Sequence, residues 1–166
     1  MQLSVHIQGL DKVDKMLKRA PKVLEDFAVI GGKEIAEISL LTLKGHIDKQ
    51  DLPWKKLSEN WKLYKVNHGL SEKIYESTLE FKNKLTIRKD GKRNVYRVGA
   101  FDDMSHGNSG LSMHKLATIL EYGNELVGIP ARPLFRPTQL EVKGIMRKHI
   151  KDIKKKLARQ IVKGRQ

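Results

Sequence analysis

Three prolines close together, in Gly128-Ile-Pro-Ala-Arg132-Pro-Leu-Phe135-Arg-Pro137, constrain this chain more than any other feature. Each proline fixes φ, removes a backbone donor and drives the residue before it toward an extended conformation. Pro130, Pro133 and Pro137 cannot all sit inside one helix, so the sequence predicts an extended strap here. Just before it, Ala117-Thr-Ile-Leu-Glu121-Tyr-Gly123 reads as a helix end closed by glycine. The strap carries Arg132, Phe135 and Arg136 in a fixed order, which suits docking on a protein surface better than binding a small molecule. It carries no catalytic chemistry.

The rest of the chain divides by period. Leu3, Val5 and Ile7 alternate with polar residues, as in a half-buried strand, and Gly9 ends the alternation. Asp11 stands where a helix N-cap belongs, and Val13, Met16, Leu17 and Ala20 give one apolar face. Pro21 is expected to end or kink that helix. Helical spacing resumes through Val23, Leu24, Phe27, Ala28, Ile35, Ile38 and Leu41, with Gly31-Gly32 as an interruption. Gln50–Gly69 reads as loop, with Ser58 available to cap a short helix. Leu79, Phe81, Leu85 and Ile87 alternate like a strand, Asp90-Gly91 supplies turn chemistry, and Val95–Gly99 returns as the partner of a hairpin. Asp102–Gly110 reads as loop, His114–Tyr122 as a short helix, and Val142, Met146, Ile150, Ile153, Leu157 and Ile161 as one face of a terminal helix. The expected fold is α+β in a single domain, 1–166. A small antiparallel sheet (N-terminal strand plus hairpin) packs with a long N-terminal helix and a basic C-terminal helix.

An apolar content of 39% and an aromatic content of 6% support only a modest core, so a thin fold completed by oligomerisation is expected. The absence of cysteine excludes disulfide scaffolds, thiolate metal sites and cysteine nucleophiles, and agrees with folding in a reducing cytoplasm. Met1-Gln-Leu-Ser-Val lacks a basic segment followed by a long apolar run, so no signal peptide is read there and no membrane partner is expected. The two tryptophans, Trp54 and Trp61, lie in the predicted loop, where each is either a plug over the core or an interface anchor.

The net charge of +14 is concentrated at the end: from Glu141 onward ten Lys/Arg stand against two acids, leaving +8. Lys148, Lys151, Lys154, Lys155, Lys156 and Arg159 are the candidates for contact with phosphate or with an acidic partner. A solvated helix face, nonspecific nucleic-acid contact and an acidic protein surface all remain open readings. The helix has no aromatic, Asn or Gln set for reading base edges.

A search for catalytic chemistry ends without a site. The six histidines show no metal-ligand spacing, and there is no phosphate-binding glycine loop. Gly107-Asn-Ser109-Gly has the wrong spacing for a nucleophile elbow, and Asp102-Asp103 reads as a solvated turn. Glu121 reads as a cap or as an ion pair with Arg132 or Arg136 rather than as an acid–base group. No enzyme activity, cofactor or metal is expected.

Four patches, taken in order, resemble the tail-completion, or virion morphogenesis, proteins of tailed bacteriophages. They are Ile7-Gln-Gly9-Leu10-Asp11-Lys-Val13, Trp54-Lys-Lys-Leu57-Ser58, Ile74-Tyr-Glu-Ser-Thr78-Leu79, and Ala117-x-x-x-Glu121-x-Gly123 with Ile129-Pro-Ala-Arg132-Pro-Leu-Phe135. Thr78 stands where the family commonly has glycine, and Leu134 intervenes before the aromatic of the strap. The resemblance implies a non-enzymatic head–tail joining subunit that forms a ring, commonly a hexamer. Its implied partners are copies of itself, the head connector, and tail-tube or tail-terminator proteins, with packaged DNA nearby. The implied location is the virion neck or the head-proximal tail end, after synthesis in the host bacterial cytoplasm. Trp54, Arg132, Pro133, Phe135 and Arg136 are the interface candidates, so Arg132→Ala or Phe135→Ala is expected to leave a folded monomer that assembles poorly.

Overall fold

The computed structural model describes residues 10–89, 95–107 and 110–163. The expected strand Leu3–Ile7, the Asp90-Gly91 turn and Asn108-Ser109 lie outside the described residues. So do the side chains of Val13, Met16, Leu17, Ala20, Val23, Leu24, Phe27, Ala28, Ile153, Leu157 and Ile161.

The chain is α+β. Helix α1 spans Leu10–Lys49 and passes through Pro21 and Gly31-Gly32 without ending. One helical bond lost at Pro21 is small against a cooperative helix of about eleven turns whose second half is anchored by packing. Gly31 is buried. Ala36, Leu43 and Ile47 form the buried face. Helix α1 packs most extensively on the last helix, α5 (Phe135–Lys163). The two run antiparallel, since Glu34 meets His149 while His46 meets Glu141. Helix α1 ends at Gln50, whose φ of 54° is left-handed and whose N–H donates to the His46 carbonyl at 2.9 Å. The Gln50 side chain then brackets Ile74, donating to its carbonyl at 3.0 Å and accepting from its N–H at 2.9 Å.

The loop expected over Gln50–Gly69 contains helix α2 (Glu59–Asn67), started by the Ser58 hydroxyl, which accepts from the Trp61 N–H. Two other expectations need correction. Glu80–Lys84 is a one-turn helix, α3, rather than the start of a strand. Phe81 and Leu85 are four residues apart, a spacing that fits a helical face as well as an alternating strand, and both are buried. The strand proper, β1 (Thr86–Lys89), pairs antiparallel with β2 (Tyr96–Gly99), Thr86 opposite Gly99 and Lys89 opposite Tyr96. Within the expected loop Asp102–Gly110, Ser105–His106 forms a short strand, β3, paired with β4 (Leu111–Ser112). Helix α4 (Met113–Tyr122) follows, capped by the Ser112 hydroxyl accepting from the Lys115 N–H.

The core is small, as the composition implies. Leu43 and Ile47 of α1, Phe81 of α3, Met113 and Ala117 of α4, and Trp54, Tyr75, Leu85 and Leu134 from the connecting segments form one buried cluster. None of the described helices is long and apolar enough to cross a membrane.

Candidate functional site

Most of the residues that carried the strap motif converge on the junction between α4 and α5. Glu121, in the last turn of α4, is 8% exposed, and its carboxylate faces the start of α5. Oε2 accepts from the N–H groups of Leu134 (2.6 Å) and Phe135 (2.9 Å), and Oε1 accepts from that of Arg136 (3.0 Å). The opening N–H groups of a helix have no intrahelical acceptor, and the helix dipole makes this end positive. Pro137, the next residue, has no N–H to satisfy. Its place in the first turn of α5 is therefore free of the cost a proline incurs deeper in a helix. The extended strap accordingly ends at Leu134, and Phe135, Arg136 and Pro137 belong to α5. The first helical bond closes from the Thr138 N–H to the Leu134 carbonyl at 3.2 Å, where the Thr138 hydroxyl also donates at 2.7 Å. Of the two expectations for Glu121, the cap describes the geometry; its partners are backbone N–H groups, not a guanidinium.

Gly123 lets the chain leave α4 and turn back against the strap. Its φ is +80°, and a Cβ there would lie 2.8 Å from the Ala131 nitrogen and 2.9 Å from the Ile129 oxygen. Backbone cannot move aside cheaply, so Gly123→Ala is expected to destabilise the protein by about 2–3 kcal/mol. A thermal melt checks this; an unchanged Tm would show that the close approach is not needed. Beyond Gly123, Asn124 and Ile129 exchange two backbone hydrogen bonds (2.8 and 2.9 Å) around a 3-10 turn at Glu125–Val127. The result is a clamped finger whose tip, Leu126, is 97% exposed.

The strap itself is tied down from the other side. Trp54 Nε1–H donates to the Pro133 carbonyl at 2.7 Å, and the Tyr75 hydroxyl donates to the Arg132 carbonyl at 2.5 Å. Arg132 is buried, its Nε–H donating to the Lys55 carbonyl at 2.9 Å. Trp54, Tyr75 and Phe81 stack in tilted sequence with 5.1 Å between successive ring centroids. Burial, reinforced by the Glu121 charge, pushes the Tyr75 phenol far above its usual range, keeping it a neutral donor. Lys65, also buried, donates to the Ser71 and Lys73 carbonyls at 2.8 Å each and closes the loop before Tyr75. Desolvation, then the Arg132 charge, pulls its ammonium below the usual lysine range.

The interface candidates are thus placed unequally. Trp54 and Arg132 are buried in intrachain contacts, and Pro133 and Phe135 are half-buried. Phe135 lies over the end of β2, its ring 3.3 Å from where a Cβ on Gly99 would sit. Only Arg136 of the five is exposed. The strap does not project Arg132 and Phe135 outward, because Tyr75 and Trp54 hold its carbonyls and Glu121 folds its far end into a helix. The exposed tryptophan is Trp61, stacked on Tyr64 at 4.9 Å. Of the phosphate candidates, Lys148, Lys151, Lys155, Lys156 and Arg159 are exposed on α5, while the Lys154 side chain is outside the described residues.

Beside the junction an open groove of about 1050 Å³ runs between α1, β2, α4 and α5. Ile35, Val98, Ala117, Phe135, Val142 and Met146 contribute its apolar lining. Tyr122 and Leu140, 77% and 64% exposed, also line it. Its charged lining is cationic (Arg136 and Lys143) apart from Glu121, whose carboxylate is taken by backbone.

Apart from Thr138, already placed at the start of α5, sequence reasoning missed three buried polar groups among the described residues. Besides Lys65, these are His46, whose Nδ1 lies 2.7 Å from Asp51, and Glu76, beside Lys73 and Lys82. His46 Nε2 also stands 3.2 Å from Glu141, and His149 Nε2 2.6 Å from Glu34, linking α1 to α5, though neither pair is aligned as a hydrogen bond. The two His–Glu pairs join distant parts of the chain and leave no local spacing to read. The partners of Lys65 and Glu76 and the Asp51 partner of His46 are close in sequence but are set by how the intervening turns fold. Among the described residues no group of three or more His, Asp or Glu side chains is arranged to hold a metal ion.

Comparison with protein-family models, curated proteins and solved structures returns no match.

Proposed function

We propose that this chain is a structural virion-assembly subunit of a tailed bacteriophage, without enzymatic activity. It acts by forming a ring of copies that completes the tail and joins it to the head connector. The observation that supports this reading most is the open apolar groove flanked by large exposed apolar side chains, Tyr122 and Leu140. Exposed apolar surface of this kind marks a protein–protein contact site. The residues that carry the family resemblance fit the same role. Glu121, Gly123 and the strap are spent on fixing α4 to α5, which suits a subunit that transmits contact between neighbours. The reading places the protein at the virion neck or head-proximal tail end, after synthesis in the bacterial cytoplasm. Its test is imaging of the purified chain with and without tail tubes: rings seated on one tube end support it, and bare tube ends at saturating protein count against it.

The exposed Lys148, Lys151, Lys155, Lys156 and Arg159 on α5 support a second reading, nonspecific contact with nucleic acid. Affinity for duplex DNA should then fall with salt at a logarithmic slope of about −0.9 per phosphate neutralised. Reversing Lys151, Lys155 and Lys156 should flatten that slope; an unchanged slope removes the reading.

A further inference from the structure

The finger at Glu125–Val127 buries none of its residues against the described part of the chain. Leu126 and Val127 are exposed, so the finger does not lie in the neighbouring groove. The paired backbone bonds between Asn124 and Ile129, and the close approach of Gly123 to Ala131, fix where it points and oppose its folding back. The groove, for its part, is open, apolar along its floor and cationic along its rim. Between Tyr122 and Pro130 the finger's only charged residue is Glu125, an exposed acid directly before the two apolar tip residues. An apolar tip preceded by one acid matches an apolar groove bordered by Arg136 and Lys143 in both shape class and sign.

We infer that the finger of one copy of this chain docks in the α1–β2–α4–α5 groove of the next, with Leu126 as the anchor and Glu125 facing Arg136 and Lys143. Each copy carries one finger and one groove, so the contact is heterologous, and repetition in one sense closes a ring when the rotation allows. The inference rests on the ring-assembly reading above and names the surface that makes the ring. Burial of the Leu126 side chain at the centre of the contact removes apolar surface from water, while the rim charges set orientation and rate.

The test measures self-association of the full chain by sedimentation across a concentration series. Leu126→Asp puts a charge in place of the anchor at a site with almost no intrachain contact. It should leave the melting curve unchanged and raise the dissociation constant by about a hundredfold. Glu125→Lys should raise it by about tenfold, and so should Arg136→Glu combined with Lys143→Glu. Joining all three charge reversals in one chain should restore association to near the starting value. An unmodified protein that associates while Leu126→Asp and the charge reversals associate equally well would overturn the docking assignment alone. An unmodified protein that stays monomeric throughout, including with tail tubes present, would overturn the ring reading and this inference with it.

Discussion

Glu121→Ala is expected to lower the stability of the fold by about 3 kcal/mol, a fall in Tm of roughly 10 °C for a domain of this length. The substitution removes an acceptor shared by three N–H groups, those of Leu134, Phe135 and Arg136. It leaves the buried Leu134 donor without a substitute and removes a negative charge from the positive end of a 29-residue helix. Glu121→Gln keeps the size of the side chain but turns an NH₂ toward N–H donors, so it should recover less than half of the loss. Arg136→Ala provides the contrast. That side chain is exposed, and the substitution keeps the backbone N–H that Glu121 uses, so its effect should stay within about 0.5 kcal/mol. Thermal or urea unfolding followed by circular dichroism measures all three. If Arg136→Ala were as damaging as Glu121→Ala, a side-chain ion pair rather than the backbone cap would hold the junction.

Trp54→Ala should be at least as severe, about 4 kcal/mol, because it empties the space of a large aromatic in a small core. Trp54 packs against Tyr75 and reaches the Pro133 carbonyl, so it joins the segment after α1 to the strap before α5. Trp54→Phe retains most of the ring contact and loses the N–H donor, for an expected cost of about 1–2 kcal/mol. Trp61→Phe, at an exposed site, should change stability by no more than about 0.5 kcal/mol. Equal destabilisation by Trp54→Ala and Trp61→Phe would mean that the core is not organised around Trp54. The same placement changes what Arg132→Ala and Phe135→Ala can report. Arg132 is buried and Phe135 packs against the core, so both substitutions act on folding before they act on assembly. Leu126 and Glu125 are the cleaner probes.

The parts of the fold set by local chemistry were legible in the residues. Ser58 and the glycine at 123 mark helix ends through their own capping chemistry. Strand β1 pairs with β2 where Ile87 and Val95–Gly99 placed two strand arms, although most of the alternation read on the first arm falls in and around α3. Local signals failed where a local rule competed with packing. Pro21 and Gly31-Gly32 are helix breakers by propensity, yet α1 continues through them and packs along α5. Phe81 and Leu85 satisfy both periods and both are buried, so their spacing alone does not separate the helical turn from a strand. At the site, the motif around Glu121 and the strap was visible as a unit, but its direction was not. Extended prolines suggest projection, whereas bonds from Trp54 and Tyr75, 79 and 57 residues away in sequence, turn the strap inward. The finger's exposure and the groove's depth depend on how four elements meet, and no window of sequence contains that information.

Sedimentation velocity of the purified, unmodified chain, alone and with tail tubes, tests most directly the claim that the protein completes itself against copies. The account predicts a discrete species whose mass is a whole multiple of 19.0 kDa and whose population grows with concentration. A single 19.0 kDa species at every concentration, unchanged by tail tubes, would contradict it.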